Sequence, residues 1–164
     1  MGGGKRRRRR GRWPVCSREN KERSLILRGK RSKAREAALK LLYQLDITQG
    51  EVAPALAGFF KSHRMNSGAQ SFATELVSGT REKLTEIDAL LAKHATNWSL
   101  DRMAVVDRNV LRLSVYELFF SAETPPKVVI NEAVELAKRF GSLDSSKFVN
   151  GVLDSIHKLE KKPQ

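Results

Sequence analysis

Cysteine is almost absent from this chain: Cys16 is the only one in 164 residues. A single cysteine closes no disulfide within the chain and builds no cysteine-based zinc site, which fits a reducing compartment. No apolar run approaches the roughly 20 residues that a membrane-spanning helix needs. The basic start would serve as the n-region of a secretory leader, but Leu25-Ile26-Leu27 is too short for the apolar region that must follow. Gly2 would suit myristoylation, except that Arg6 stands where that motif wants Ser or Thr. Strand-period alternation is missing, and so is any repeat at a fixed period, which excludes a solenoid. These absences predict a soluble, cytoplasmic, all-α protein.

What the chain does have is charge in one place. The first 35 residues contain 15 Lys/Arg and 2 Asp/Glu, and this excess equals the net charge of the whole chain, +13. The remaining residues are electrically balanced. A basic excess confined to a leading segment reads as an arm for a polyanion. Residues 1–28 are low in complexity at the front and polar afterwards. They bury too little apolar area to offset ordering entropy, so a disordered basic arm is expected there. Trp13-Pro14-Val15 within it reads either as a small contact motif or as an exposed chance cluster.

From residue 29 to residue 164 the pattern predicts one helical domain. Ala34, Ala37, Ala38, Leu41, Leu42 and Leu45 form an apolar stripe at helix period, with Arg31, Lys33, Arg35 and Lys40 outside it, and Gly50 as the stop. A short helix is expected from about Pro54 to His63, with Leu56, Phe59 and Phe60 inward. A long one follows from about Ala69 to Ala95, with Gly79 as its weak point. Met103 to Ser121 is apolar on nearly all sides and reads as a central, buried helix. Thr124-Pro125-Pro126 breaks it. Lys127 to Phe140 and a last helix from Asp144 or Ser145 to about Leu159 complete six or seven helices.

A search for catalytic chemistry finds little. No phosphate loop, GxGxxG or GxSxG is present, and His63, His94 and His157 are too scattered for a metal motif. No enzyme, cofactor or metal is expected. Binding features are better. Arg31, Lys33 and Arg35 continue the basic arm into the expected start of the first helix, where cations oppose the macrodipole. Phosphate contact would explain that local penalty; the alternative is that exposed arginines are simply good helix residues. The segment Phe140 to Gly151 ends one helix and starts another. A helix start can bind phosphate, Lys147 would add charge, Phe140 or Phe148 could stack on a base, and Asp144 could accept from base amino groups. The competing reading makes Asp144 an N-cap and both phenylalanines core.

Three blocks of residues carry a resemblance. They are Asp107-Arg108-Asn109-Val110-Leu111-Arg112 with Tyr116-Glu117-Leu118; the run Pro126 to Gly141; and Lys147-Phe148-Val149-Asn150-Gly151-Val152-Leu153-Asp154. Arg31 to Glu36 followed by Leu42-Tyr43-Gln44 also fits. Over about four fifths of its length the chain resembles the transcription antitermination factor NusB family. The resemblance implies an all-α fold of two packed helical subdomains and a non-enzymatic RNA-binding protein. It implies binding to boxA RNA of ribosomal-operon transcripts together with NusE, a small-subunit ribosomal protein, within the antitermination complex of RNA polymerase. By position, the RNA contacts it implies are Arg31, Lys33, Arg35, Phe140, Asp144, Lys147 and Phe148. The NusE contacts it implies are Asp107 and, secondarily, Arg108. Ser32 stands where the family commonly has an arginine, with Arg28 and Lys30 upstream as candidates to replace it. A chain of this family would be expected to begin near Lys30. The preceding residues therefore read as an added RNA tether, as the product of a start codon placed too far upstream, or as artificially appended sequence. Some relatives pair and hide the RNA face, so a homodimer stays open.

Two other functions compete. NusB-like domains also lead certain ribosomal RNA cytosine methyltransferases, but here no cofactor-binding α/β domain with its Gly-rich loop follows. A nonspecific nucleic-acid binder acting through the basic arm is the third reading, and it predicts binding that collapses without residues 1–28.

Overall fold

The computed structural model describes residues 18–121 and 123–160; Trp13-Pro14-Val15 and Cys16 lie outside them. Seven α-helices follow in chain order: α1 (Arg18–Thr48), α2 (Val52–Ser62), α3 (Ser67–Glu82), α4 (Leu84–His94), α5 (Val105–Phe119), α6 (Pro126–Phe140) and α7 (Ser145–Leu159), with a single 3-10 turn at Leu100–Arg102. No strand occurs among the described residues, so the all-α expectation holds.

The stripe expected on α1 is buried throughout: Ala34, Ala38 and Leu41 are fully covered, and Ala37, Leu42 and Leu45 nearly so. Its alanines let α1 lie close against α3, whose Ala69, Ala73, Leu76 and Val77 supply the facing surface. α2 closes the far side of this pair. α6 packs most extensively on α7, through Val129, Ala133, Leu136 and Ala137 on one side and Val149, Val152, Leu153 and Ile156 on the other. Between the two groups runs α5, in contact with α1, α3, α4, α6 and α7. It is the central helix the sequence predicts, and the two subdomains meet across it.

Three expected boundaries shift. α1 begins at Arg18, ahead of the expected start near residue 29. Its leading turns are rich in Arg, Lys, Glu and Leu, which favour helix without tertiary help, and Leu25, Ile26 and Leu27 stay exposed there. Arg31 is therefore well inside a helix, so the expected opposition to the macrodipole does not arise. The helix expected from Ala69 to Ala95 is two helices, divided at Lys83 (φ −95°, ψ 14°) rather than at Gly79. That turn redirects the chain from the α1 side of α5 to its α7 side. Gly79 has a different reason: a Cβ there would run into the Tyr116 ring of α5. At the end of α1 the left-handed residue is Gln49 (φ 54°), one before the expected stop at Gly50.

Buried charge fixes α5 in place. Glu117, 2% exposed, accepts from Arg35 of α1 through both carboxylate oxygens (Nη2 to Oε1 2.7 Å, Nε to Oε2 2.8 Å) and from Thr124 Oγ1 at 3.2 Å. Nearer the start of α5, Arg108 donates to Asp46 from Nε (2.9 Å) and Nη2 (2.8 Å), and Asn109 donates to the same oxygen at 2.9 Å. Arg112 makes a two-pronged bond to Asp88 of α4, both at 2.8 Å, and approaches Asp46 at 3.3 Å. Burial works to raise the Asp46 pKa. Hydrogen bonds from Arg108 and Asn109, with the charges of Arg108 and Arg112, outweigh it and hold the carboxyl below its ordinary 3.8.

Two outcomes follow for stability. Arg35→Ala leaves Glu117 charged and unpaired in the core, and should lower the unfolding free energy by about 3–5 kcal/mol in a urea titration. A loss below about 1 kcal/mol would show that the pair does not hold α1 to α5. Asp46 has a depressed folded pKa, so it contributes stability above its unfolded value that is lost as pH falls through the folded one. Asp46→Asn should therefore be less stable than the parent at pH 7. The gap should close below about pH 4, as the parent carboxyl protonates. A gap constant down to pH 2 in thermal melts would contradict that assignment.

Candidate nucleic-acid interface

The basic residues of α1 line grooves on both of its flanks. On the α6 side, a groove of about 500 Å³ is walled by Arg23, Arg28 and Arg31 and, opposite them, Glu123, Pro125 and Asn131. Arg31 is partly exposed, reaches Glu123 at 3.5 Å, and lies 4.9 Å from the Phe72 ring centroid. Lys33 is exposed, with no ion-pair partner among the described residues. It lines a further groove with Glu36, Glu132, Lys138 and Arg139. Ser32, the position where an arginine would fit the resemblance, donates to both oxygens of Glu132 at 3.0 Å and so ties α1 to α6.

Arg35 is corrected. The sequence reading puts it outside the apolar stripe as a phosphate contact. Instead it is 3% exposed and its guanidinium is taken up by Glu117. Its place was readable: Arg35 stands three residues before Ala38 and seven before Leu42, on the inward face of the helix. Arg108 is corrected for the same reason. Asp46 and the Leu100 carbonyl, at 2.9 Å from Nη1, take up its donors inside the protein.

The α6 end lies against the middle of α1. Arg139 Nη1 donates to Glu36 at 2.7 Å, and the Phe140 ring has Lys40 and Arg139 near its faces, at 5.8 Å and 5.3 Å from its centroid. Phe140 is half-buried against the core, so core packing describes it better than a stacking platform. Gly141 turns tightly over Ser145: a Cβ there would meet both the Ser145 hydroxyl and the Ala137 carbonyl. Ser145 Oγ accepts from the Ser142 amide at 2.9 Å and closes the turn. Asp144 occupies the N-cap position of α7 but makes no capping hydrogen bond, and it is exposed. The simple capping role is thus not what its carboxylate does.

Beyond this turn lies a groove of about 640 Å³ that collects Asp107, Asp144, Lys147 and Phe148 with Trp98 and Arg102. Residues assigned separately from sequence, to RNA and to a protein partner, face one cavity. Phe148 is half-buried and meets Trp98 edge-on, with ring centroids 6.2 Å apart and planes at 67°. Trp98 is 53% exposed, and sequence reasoning missed it, since a lone aromatic between helices carries no periodic signal. Lys147 is exposed. Asp107 is 8% exposed, and its Oδ1 is buried with no hydrogen-bond partner. A buried acceptor in that state is costly unless a donor arrives from outside.

No group of histidine, cysteine or carboxylate side chains among the described residues could hold a metal ion, and no described helix is long and apolar enough to cross a membrane.

Known proteins share this architecture. The NusB family model matches residues 32–158. A transcription antitermination protein NusB of Myxococcus xanthus is 46% identical over 139 residues, covering 82% of this chain and 99% of the relative. One from Lysinibacillus sphaericus is 50% identical over 131 residues, covering 80% and 99%. Among solved structures, a chain from the crystal structure of antitermination factors NusB and NusE in complex with double-stranded RNA superposes with a TM-score of 0.74. It is 33% identical, covering 80% of this chain and 98% of the other. With a family match over most of its length and relatives near half identity across their whole length, the chain belongs to the NusB family.

Proposed function

We propose that this chain is an RNA-binding transcription antitermination factor that binds boxA RNA of ribosomal-operon transcripts together with NusE. It acts in the cytoplasm as part of the antitermination complex of RNA polymerase, and performs no catalysis. The observation that carries the reading is the pairing of a cation-lined α1 with a fold shared with the NusB–NusE–double-stranded RNA structure.

The residues divide the work by chemistry. Arg31 and Lys33 supply phosphate contacts, which give affinity and register without reading sequence. Asp144, exposed and not spent on a cap, accepts from base amino groups. Phe148, beside Trp98, offers an aromatic edge or face to an unstacked base. Lys147 adds a phosphate contact at the same helix start. Asp107, which lines the same groove and whose buried Oδ1 has no partner, accepts a donor from NusE.

The test is fluorescence anisotropy with labelled boxA RNA and a scrambled control, with NusE present, at near-physiological salt. Clear preference for boxA is expected. Asp144→Asn should narrow that preference, whereas Lys147→Gln should weaken both RNAs alike and reduce the salt slope by about 0.7. Asp107→Asn should weaken NusE capture while leaving RNA binding by the chain alone unchanged. Equal affinity for boxA and scrambled RNA, with NusE bound, would refute the reading.

A further inference from the structure

On the flank of α1 that faces α3 lies another groove, of about 320 Å³, walled by Ile26, Lys30 and Lys33 from α1 and by Arg64, Met65 and Asn66 from the connection between α2 and α3. Its charge is one-sided. Lys30, Lys33 and Arg64 line it, no carboxylate does, and none of the three cations has an ion-pair partner among the described residues. The α6-side grooves differ: there Glu123 and Glu132 stand among the arginines, and Glu36, Glu132 and Glu135 among Lys33, Lys138 and Arg139. Like charges gathered in one concavity without an anion raise the local potential and draw a counter-ion into it.

The geometry fits an elongated anion. Lys30 and Lys33 are three residues apart on one helix face, about 4.5 Å along the axis, and Arg64 stands across the groove from them. α3 starts at Ser67 in the same wall; Asn66 caps only the Ala69 amide, at 2.8 Å, so the first turn adds its partial positive charge. Lys33 belongs both to this groove and to the α6-side surface, so a strand crossing α1 at Lys33 would run from one into the other.

We propose that the α1–α3 groove is a phosphate-binding site for RNA, in which Lys30, Lys33 and Arg64 hold the sugar–phosphate backbone of the strand already engaged on α1. This rests on the RNA-binding reading above. It adds Arg64 and Lys30, and a path around the α3 side of α1.

The experiment measures the affinity of the full chain for boxA and scrambled RNA across about 50–200 mM salt. The variants are Lys30→Gln with Arg64→Gln, and Arg64→Lys alone. Lys83→Gln, at the opposite end of α3 and about 24 Å along its axis from Ser67, is the control. Each cation removed should reduce the slope of log affinity against log salt by about 0.7, and lower affinity roughly fourfold at physiological salt, for both RNAs alike. Arg64→Lys should keep the parent slope, since a point charge suffices, and Lys83→Gln should match the parent. Circular dichroism melts check that the exposed substitutions leave the fold intact. An unchanged slope in the double variant would overturn the proposal and leave the groove to an acidic protein partner. That failure is separable from failure of the boxA reading, which shows as equal affinity of the parent chain for the two RNAs.

Discussion

Glu117 lies in the middle of the most buried helix, where an ionised carboxylate survives only if its partners come with it. Arg35 and Thr124 are those partners, one from α1 and one from the connection into α6. Three elements are therefore locked at a single point, and the lock is rotational. A guanidinium that must meet both carboxylate oxygens fixes which face of α1 turns inward. At 100° per residue, Lys33 is then turned well away from the core, while Arg31, one turn before Arg35, sits at the rim over Phe72. A buried pair of this kind is weak evidence of net stability, because an apolar replacement of equal shape could be as favourable. What it supplies here is register: the same contact that holds α1 against α5 decides where the cations on α1 face.

The rest of α5 follows the same rule. Arg108 and Arg112 spend their donors on Asp46, Asp88 and a backbone carbonyl, and Ser114 bonds back to the Val110 carbonyl at 2.8 Å. Asp107, in the first turn, is the exception among the buried charged side chains of this helix, with a buried oxygen lacking any partner. Its helix satisfies every other buried charge internally, and its groove opens between α5 and the start of α7. The residue with the unsatisfied oxygen also lines the concave surface, which is why a partner's donor is proposed to arrive there.

Much of this was legible in the sequence. The helix-period stripe on α1, the all-round apolar α5 and the punctuation by Thr124-Pro125-Pro126 and Gly141 define the class and nearly all the elements. What escaped did so for physical reasons. Periodicity sorts residues by face, and a charge next to other charges reads as exposed; Arg35, in a basic cluster, was assigned to solvent although it lies in line with Ala38 and Leu42. The division at Lys83 has no breaker residue, since it arises from two helices seeking different sides of α5. Gly79, which looked like a weak point in a helix, instead marks where Tyr116 approaches. Arg64 and Trp98 lie in connections, where no pattern announces that tertiary structure will carry them beside α1 or Phe148.

The charge distribution explains why affinity and specificity are kept apart in space. Beyond the first 35 residues the chain is electrically neutral, so a polyanion is steered to α1 and its flanks and to little else. In the proposed reading, contacts there are to phosphate and carry no sequence information. Reading bases needs polar and aromatic groups fixed by the core. The groups proposed for that lie past the end of α6, where Asp144, Phe148 and Trp98 share a groove with Asp107. The exposed Arg139–Glu36 contact and the Ser32–Glu132 hydrogen bonds link α6 to α1, and both helices pack on α5, which sets their relative position. On the proposed reading, a strand captured by α1 would be presented to the α7 start. Because that groove also holds the unpaired Asp107 oxygen, a second protein bound there would complete the surface against which bases are read. Sequence preference should then sharpen on assembly, while the salt dependence set by α1 should change little.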